Sequence, residues 1–100
     1  MKELNALIHE KTRFAIMVNL FMNKHLSFKV LKKELHLTDG NLSAHLRRLE
    51  NAAYIKIKKT FKNRRPHTEV YITEKGLEEM EVYLDGIASI LKKIKQTKEV

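Results

Sequence analysis

Leu35-His36-Leu37-Thr38-Asp39-Gly40-Asn41-Leu42-Ser43-Ala44-His45-Leu46-Arg47-Arg48-Leu49-Glu50-Asn51-Ala52-Ala53-Tyr54 is the stretch on which the reading of this chain turns. Thr38 can accept from the orphan amides of a first helical turn, and Asp39 suits the positive end of the helix dipole. Leu42, Leu46 and Leu49 recur at i, i+4 and i+7, which predicts a helix over about residues 38–52 with one apolar stripe. At about 100° per residue the opposite side carries Asn41, Ala44, Arg47, Arg48 and Asn51, with Gly40 and His45 at its margins. Small residues followed by amide and guanidinium groups suit a surface that a polyanion approaches closely. A merely solvated helix face is the competing reading, and the surroundings of this helix weigh against it.

Upstream, Ser27 can cap a helix in which Phe28, Leu31 and Leu35 point inward while Lys29, Lys32, Lys33 and Glu34 face water. Only His36-Leu37-Thr38 links it to the next helix. Two helices joined so tightly make a helix-turn-helix, whose second member can lie in a DNA major groove. Earlier still, the run Thr12 to Lys24 is apolar nearly all round and should form the buried centre of the domain. Phe14, Met17 and Phe21 within it are read as core rather than as a ligand pocket. Leu4, Leu7 and Ile8 give residues 2–10 the character of a short amphipathic lead-in.

After Tyr54 the period changes from 3.6 to 2. Ile55, Ile57 and Phe61 alternate with Lys56, Lys58 and Thr60, and Val70 and Ile72 alternate with Glu69 and Tyr71. Two half-buried strands over about 55–72 follow, with a charged tip, Lys62-Asn63-Arg64-Arg65-Pro66-His67, between them. A helix-turn-helix followed by such a hairpin is a winged helix. Thr73-Glu74-Lys75-Gly76 then opens a final helix over about 74–95, in which Leu77, Met80, Leu84, Ile87, Leu91 and Ile94 are spaced 3, 4, 3, 4, 3. That is a coiled-coil seam in want of a partner. Gly86 inside it marks a close crossing with another helix.

Composition narrows the function. Between Asn41 and His67 eight cations (Arg47, Arg48, Lys56, Lys58, Lys59, Lys62, Arg64, Arg65) face Glu50 alone, so this segment carries +7 of the formal net charge of +8. Charge localised in this way points to a polyanionic partner. One hundred residues with 43% apolar content fit a single domain, 1–100, whose thin core oligomerisation would help. The absence of cysteine excludes a disulfide framework and a thiolate metal site. The five histidines (His9, His25, His36, His45, His67) lack ligand-like local spacing, so no metal and no cofactor is expected. No signal peptide and no apolar run approaching the roughly 20 residues of a membrane span are present, so a cytoplasmic protein without membrane contact is expected. No set of nucleophile, base and acid and no phosphate-cradling glycine loop appears, which argues against an enzyme.

With these residues in place the chain resembles the winged-helix DNA-binding transcriptional regulators of the MarR/ArsR type, particularly small single-domain proteins of bacteria and archaea. Leu7-Ile8-His9, Arg13 and Ile16 are similar to that family's opening, and Leu37 through Glu50 to its recognition helix. Lys59, Phe61, Arg64-Arg65-Pro66, Thr68 and Thr73-Glu74-Lys75-Gly76 are similar to its wing and closing helix. The resemblance implies an α+β, mostly helical fold with a two-stranded wing and a long C-terminal dimerisation helix. It also implies a homodimer that places one recognition helix per subunit in a major groove, usually to repress transcription. Two departures stand out. Family members commonly have Gly where this chain has Ala53, so that helix end is either built differently or strained. The cysteine-based metal signature of the ArsR sensors is absent.

The expected function is therefore a homodimeric, sequence-specific, double-stranded DNA-binding repressor, with an unidentified small-molecule effector left open. Arg47 and Arg48 are candidates for guanine edges or phosphates, Asn41 for adenine or phosphate, and Thr38, Ser43 and His45 for phosphates. Gly40 and Ala44 let the backbone approach closely. Arg64 and Arg65 are candidates for the minor groove, while Lys56, Lys58, Lys59 and Lys62 would supply electrostatic affinity. The dimer interface is expected at Leu4, Leu7, Ile8, Leu77, Met80, Leu84, Ile87, Leu91 and Ile94. The alternatives are a winged-helix protein-interaction module whose basic face docks an acidic partner, and a membrane-surface protein using the basic end of the last helix.

Overall fold

The computed structural model describes residues 3–98, in the order α1 (Lys11–Asn23), β1 (His25–Ser27), α2 (Phe28–Glu34), α3 (Asp39–Asn51), β2 (Ile55–Lys62), β3 (Arg65–Ile72) and α4 (Glu74–Lys98). Three helices pack around a three-stranded antiparallel sheet of order β1-β3-β2, and α4 closes the core before running on. The chain is a winged helix, with one strand more than the alternation of apolar residues revealed. Strand β1 pairs His25, Leu26 and Ser27 with Tyr71, Val70 and Glu69 of β3. Three residues are too few to show a period, which is why the sequence hid them. No helix among the described residues is long and apolar enough to cross a membrane.

The caps form as their chemistry requires. Ser27 Oγ accepts from the Val30 amide at 3.1 Å and Thr38 Oγ1 from the Asn41 amide at 3.1 Å. Thr73 Oγ1 accepts from Gly76 at 3.0 Å and donates to the Ala53 carbonyl at 2.6 Å, tying the start of α4 to the end of α3. Helix α1 is capped by Glu10, whose carboxylate accepts from the amides of Arg13 at 2.9 Å and Thr12 at 3.2 Å. The Arg13 amide is the main cause of a Glu10 carboxyl held below its ordinary range; burial opposes it, and the Thr12 amide and the nearby His45 and Arg13 charges reinforce it.

Helix α3 ends in a Schellman motif, with Tyr54 N–H donating to Leu49 O and Ala53 N–H to Glu50 O. Ala53 sits at φ 64°, so the left-handed turn is built and its strain is tolerated. A left-handed alanine costs about 1–2 kcal/mol, and glycine would return about 0.5–1 kcal/mol of that once its greater unfolded-chain entropy is counted. Ala53→Gly is expected to raise stability by about 0.5–1 kcal/mol, read as a thermal midpoint a few degrees higher.

The core gathers Ile16, Met17 and Leu20 of α1, Leu31 of α2, Leu42, Leu46 and Leu49 of α3, Ile55 and Val70 of the sheet, and Met80 and Tyr83 of α4. Ile8 and Met80, expected at a dimer interface, are sealed within it at 0% exposure. Leu4, Leu7, Leu84 and Ile87 are half-buried against the same core. Met80, Leu84 and Ile87 of the α4 seam are thus spent on their own subunit, Leu77 is half-buried outside that cluster, and Leu91 and Ile94 are 51% and 50% exposed. A 3,4 spacing defines which residues share a face and is silent on which surface covers that face.

Residues 3–10 fold back as turns rather than as a regular element. Asn5 fastens them: its Oδ1 accepts from the amides of Leu7 and Ile8, and its Nδ2 donates to Tyr54 Oη at 2.7 Å and Glu79 Oε2 at 3.1 Å. Gly86 admits the Leu4 side chain of this segment, since a Cβ there would stand 2.8 Å from Leu4 Cδ2. The close crossing expected at Gly86 is therefore with the chain's own N-terminal segment. Gly76 is more constrained. A Cβ at that position would overlap the Tyr54 carbonyl oxygen and stand 2.9 Å from Ile72 Cγ1, with backbone on one side and no flexible neighbour to yield. Gly76→Ala is expected to destabilise the fold by about 3 kcal/mol, a drop of roughly 15 °C in thermal midpoint.

Candidate nucleic-acid interface

With Leu42, Leu46 and Leu49 directed into the core, the helical period sets every other side chain of α3. Gly40, Ala44 and Asn51 form the outward ridge, with Arg47 and Arg48 on its two flanks, all exposed. Nothing lies within 4 Å of where a Gly40 Cβ would be, so the first turn of the ridge is open. Thr38 and Asn41 meet at the N-terminal cap, and Asp39 pairs with Lys32 of α2 at 2.9 Å, an exposed ion pair that helps register the two helices.

The two sides of that ridge differ. Ser43, Arg47 and Glu50, with Asp39, form one wall of a groove of about 730 Å³ whose other wall is Phe28, Ile57, Lys59 and Thr68. The opposite flank bears His45, which turns toward α1. Arg13 there is 7% exposed; its Nε donates to the Leu7 carbonyl at 2.6 Å and its Nη1 lies 3.2 Å from His45 Nδ1. Glu10 Oε1 lies 3.7 Å from both Arg13 Nη1 and His45 Nδ1. His45, expected among the phosphate contacts, thus also ties α3 to the start of α1, with its side chain 25% exposed. Periodicity alone does not reveal Glu10 and Arg13 as its supports; the signal is the one arginine in a helix whose interior is mostly apolar.

The wing is longer and its turn tighter than the charged run suggested. Strands β2 and β3 stay paired from Ile55↔Ile72 out to Lys62↔Arg65, leaving only Asn63 and Arg64 as a two-residue turn, both at positive φ (51° and 65°). This is the φ pattern of a type I′ hairpin turn. Alternation then sorts the cations. Lys59 shares a face with Ile55, Ile57 and Phe61, toward α3, whereas Lys56, Lys58 and Lys62 project from the other face. Lys62, Arg64 and Arg65 meet again at the exposed tip. On the far face Glu69 joins His25 Nδ1 at 2.6 Å to His67 Nε2 at 2.8 Å, and His25 stacks on Tyr71 with ring centroids 5.0 Å apart. Burial pushes the Glu69 carboxyl up, yet the hydrogen bonds and charges of His25 and His67 outweigh it and hold it below its ordinary range. This carboxylate fastens short β1 to the base of the wing.

A ridge of small and guanidinium-bearing residues beside a basic hairpin presents a surface suited to a polyanion. A model of the family described as winged helix DNA-binding domain matches residues 12–91. An uncharacterized protein of Methanocaldococcus jannaschii is 34% identical over 94 residues, covering 94% of this chain and 98% of that protein. The structure of a transcriptional regulator homologue from Pyrococcus horikoshii OT3 superposes with a TM-score of 0.85 at 31% identity, covering 90% of this chain and 89% of the other. AbfR of Staphylococcus epidermidis, solved bound to DNA, shares the fold with a TM-score of 0.70 at 18% identity, over 89% of this chain and 71% of its own. The chain belongs to the winged helix DNA-binding domain family.

Proposed function

We propose that the protein is a homodimeric, sequence-specific binder of double-stranded DNA that represses transcription, with α3 in the major groove and the wing on the flanking backbone. The observation that carries this reading is the outward ridge Gly40-Ala44-Asn51 flanked by Arg47 and Arg48: its small residues permit close approach, and its guanidiniums can reach base edges. Thr38, Asn41 and Ser43 border the ridge and serve as phosphate or base contacts. Lys59, Lys62, Arg64 and Arg65 supply the flanking charge. Lys56 and Lys58, on the far face of the hairpin, act through the field of the wing rather than by direct touch. AbfR, solved on DNA with the same fold, supports a duplex as the partner.

The dimer follows from α4. Its 25 residues extend about 37 Å, and the molecule measures 62 Å along its longest axis against 25 and 21 Å in the others. The far end of the helix presents Leu91 and Ile94, half of whose surface no part of the same subunit covers. A second copy of the chain carries the same uncovered stripe and would cover it by two-fold pairing, which gives two recognition helices for a two-part site.

The test is the salt dependence of duplex binding. Three phosphates neutralised per subunit in a dimer give a log-log slope of affinity against salt of about −5. A slope near that value is expected by anisotropy titration from low to moderate salt. A flat response, or an acidic protein partner bound more tightly than any duplex at low salt, would overturn the reading.

A further inference from the structure

We infer that the wing carries an apolar wedge, Phe61 backed by Pro66, that enters the minor groove of the bound duplex and partly unstacks a base step there. The inference rests on the duplex-binding reading above and adds to it a deformation of the DNA. Phe61 is the most exposed large apolar side chain among the described residues, at 77%. Its place in the alternation predicts burial with Ile55 and Ile57. Along that face, however, exposure rises from buried Ile55 through half-buried Ile57 to exposed Lys59 and Phe61, because the hairpin runs past the edge of the core. An aromatic ring is thus carried on the core-facing side of the strand with no core beneath it.

The ring has a rigid backing. Phe61 is the cross-strand partner of Pro66, which is also exposed. The two-residue turn makes Lys62 and Arg65 the hydrogen-bonded closing pair, so Phe61 and Pro66 form the next, non-hydrogen-bonded pair, in which side chains stand closer. The missing proline amide costs nothing at such a position, since β1 pairs only with residues 69–71 of β3.

The surroundings select the occupant. Between Ile55 and Thr68 there is no acidic residue, while Lys59 shares the face of the ring and Lys62, Arg64 and Arg65 follow it at the tip of the hairpin. The positive field draws a polyanionic duplex, whose base steps can accept an apolar side chain, more strongly than an ordinary protein surface. Phe61 also shares its strand face with Ile57 and Lys59, which wall the groove against α3. At about 3.3 Å per residue the four residues from Ile57 to Phe61 carry the ring about 13 Å along the wing, close to the roughly 12 Å width of a major groove. With α3 in that groove, the ring arrives over the phosphate ridge at the neighbouring minor groove. Apolar side chains placed there open flexible pyrimidine–purine steps and kink the duplex.

The experiment uses the full chain and 30-base-pair duplexes that it selects from a random pool, with 2-aminopurine placed in turn at adenines flanking the recognised site. The wild type is expected to raise the fluorescence at one step on each flank and to bend circularly permuted fragments. F61A should abolish both signals and weaken binding on the order of tenfold, whereas F61L, which keeps an apolar wedge, should retain the bend. Thermal unfolding of F61A should match the wild type, because the ring supports no core. Binding without unstacking in the wild type, or an F61A variant that still bends DNA, overturns the wedge alone. An F61A protein that sediments as a smaller species assigns Phe61 to the interface between copies and overturns it as well. No duplex binding by the wild type at low salt overturns both readings.

Discussion

The double substitution L91E/I94E is expected to leave the subunit folded, convert it to a monomer and lower its affinity for a two-part duplex site by a factor on the order of 10²–10⁴, the avidity that disappears when two linked binding events become separate. Leu91 and Ile94 lie beyond the part of α4 that packs on its own subunit, where Gly76, Met80 and Tyr83 are buried. Two carboxylates there meet only water in a monomer, but in a dimer they would face the partner seam. The neighbouring choice, Leu84, would confuse the result because its side chain packs against the subunit's own core. Sedimentation at micromolar concentration and a thermal melt together decide the matter. A wild type that sediments as a monomer, or a double variant that stays dimeric with its duplex affinity intact, would remove α4 from the assembly and the two-part site with it.

How far the sequence was legible depends on the range of the interaction that decides each feature. Thr38, Ser27 and Thr73 were readable as caps because a cap is settled within about three residues, and all three accept the amides expected of them. The face of α3 was readable because Leu42, Leu46 and Leu49 fix the core direction and the helical period fixes the rest. The contacts of His45 escaped because Arg13 and Glu10, which reach its flank, lie more than thirty residues away in the chain. Periodicity also failed at its edges. It placed Phe61 on the same face as Ile57 and placed Met80 in line with Leu91, both correctly. It could not say that the core ends before Phe61, or that it reaches Met80 and stops short of Leu91. Ala53 was legible as a departure, and the structure shows it as strain accepted at φ 64°, with both Schellman hydrogen bonds in place.

The two basic elements are expected to fail differently when mutated, and this is the sharpest test of which one reads sequence. Arg47 and Arg48 flank the outward ridge of α3, where a bidentate hydrogen bond to guanine is worth about 1–3 kcal/mol of discrimination per subunit. Arg64 and Arg65 sit at the hairpin turn, within reach of the backbone and of a minor groove that separates A·T from G·C but little else. Arg47→Ala or Arg48→Ala should therefore reduce affinity for the selected site far more than for scrambled duplex. With two copies in the dimer, the specificity ratio should fall by roughly thirtyfold to ten-thousandfold. Arg64→Ala combined with Arg65→Ala should instead weaken both duplexes nearly in parallel and flatten the salt slope by about one unit for each phosphate that is no longer neutralised. All four side chains are exposed and none joins the core, so the variants should fold alike and the comparison should report binding alone. Competition titrations on selected and scrambled duplexes at two salt concentrations make the measurement. If the wing variant abolishes specificity while both helix variants keep it, the hairpin is the reading element and α3 serves to position it.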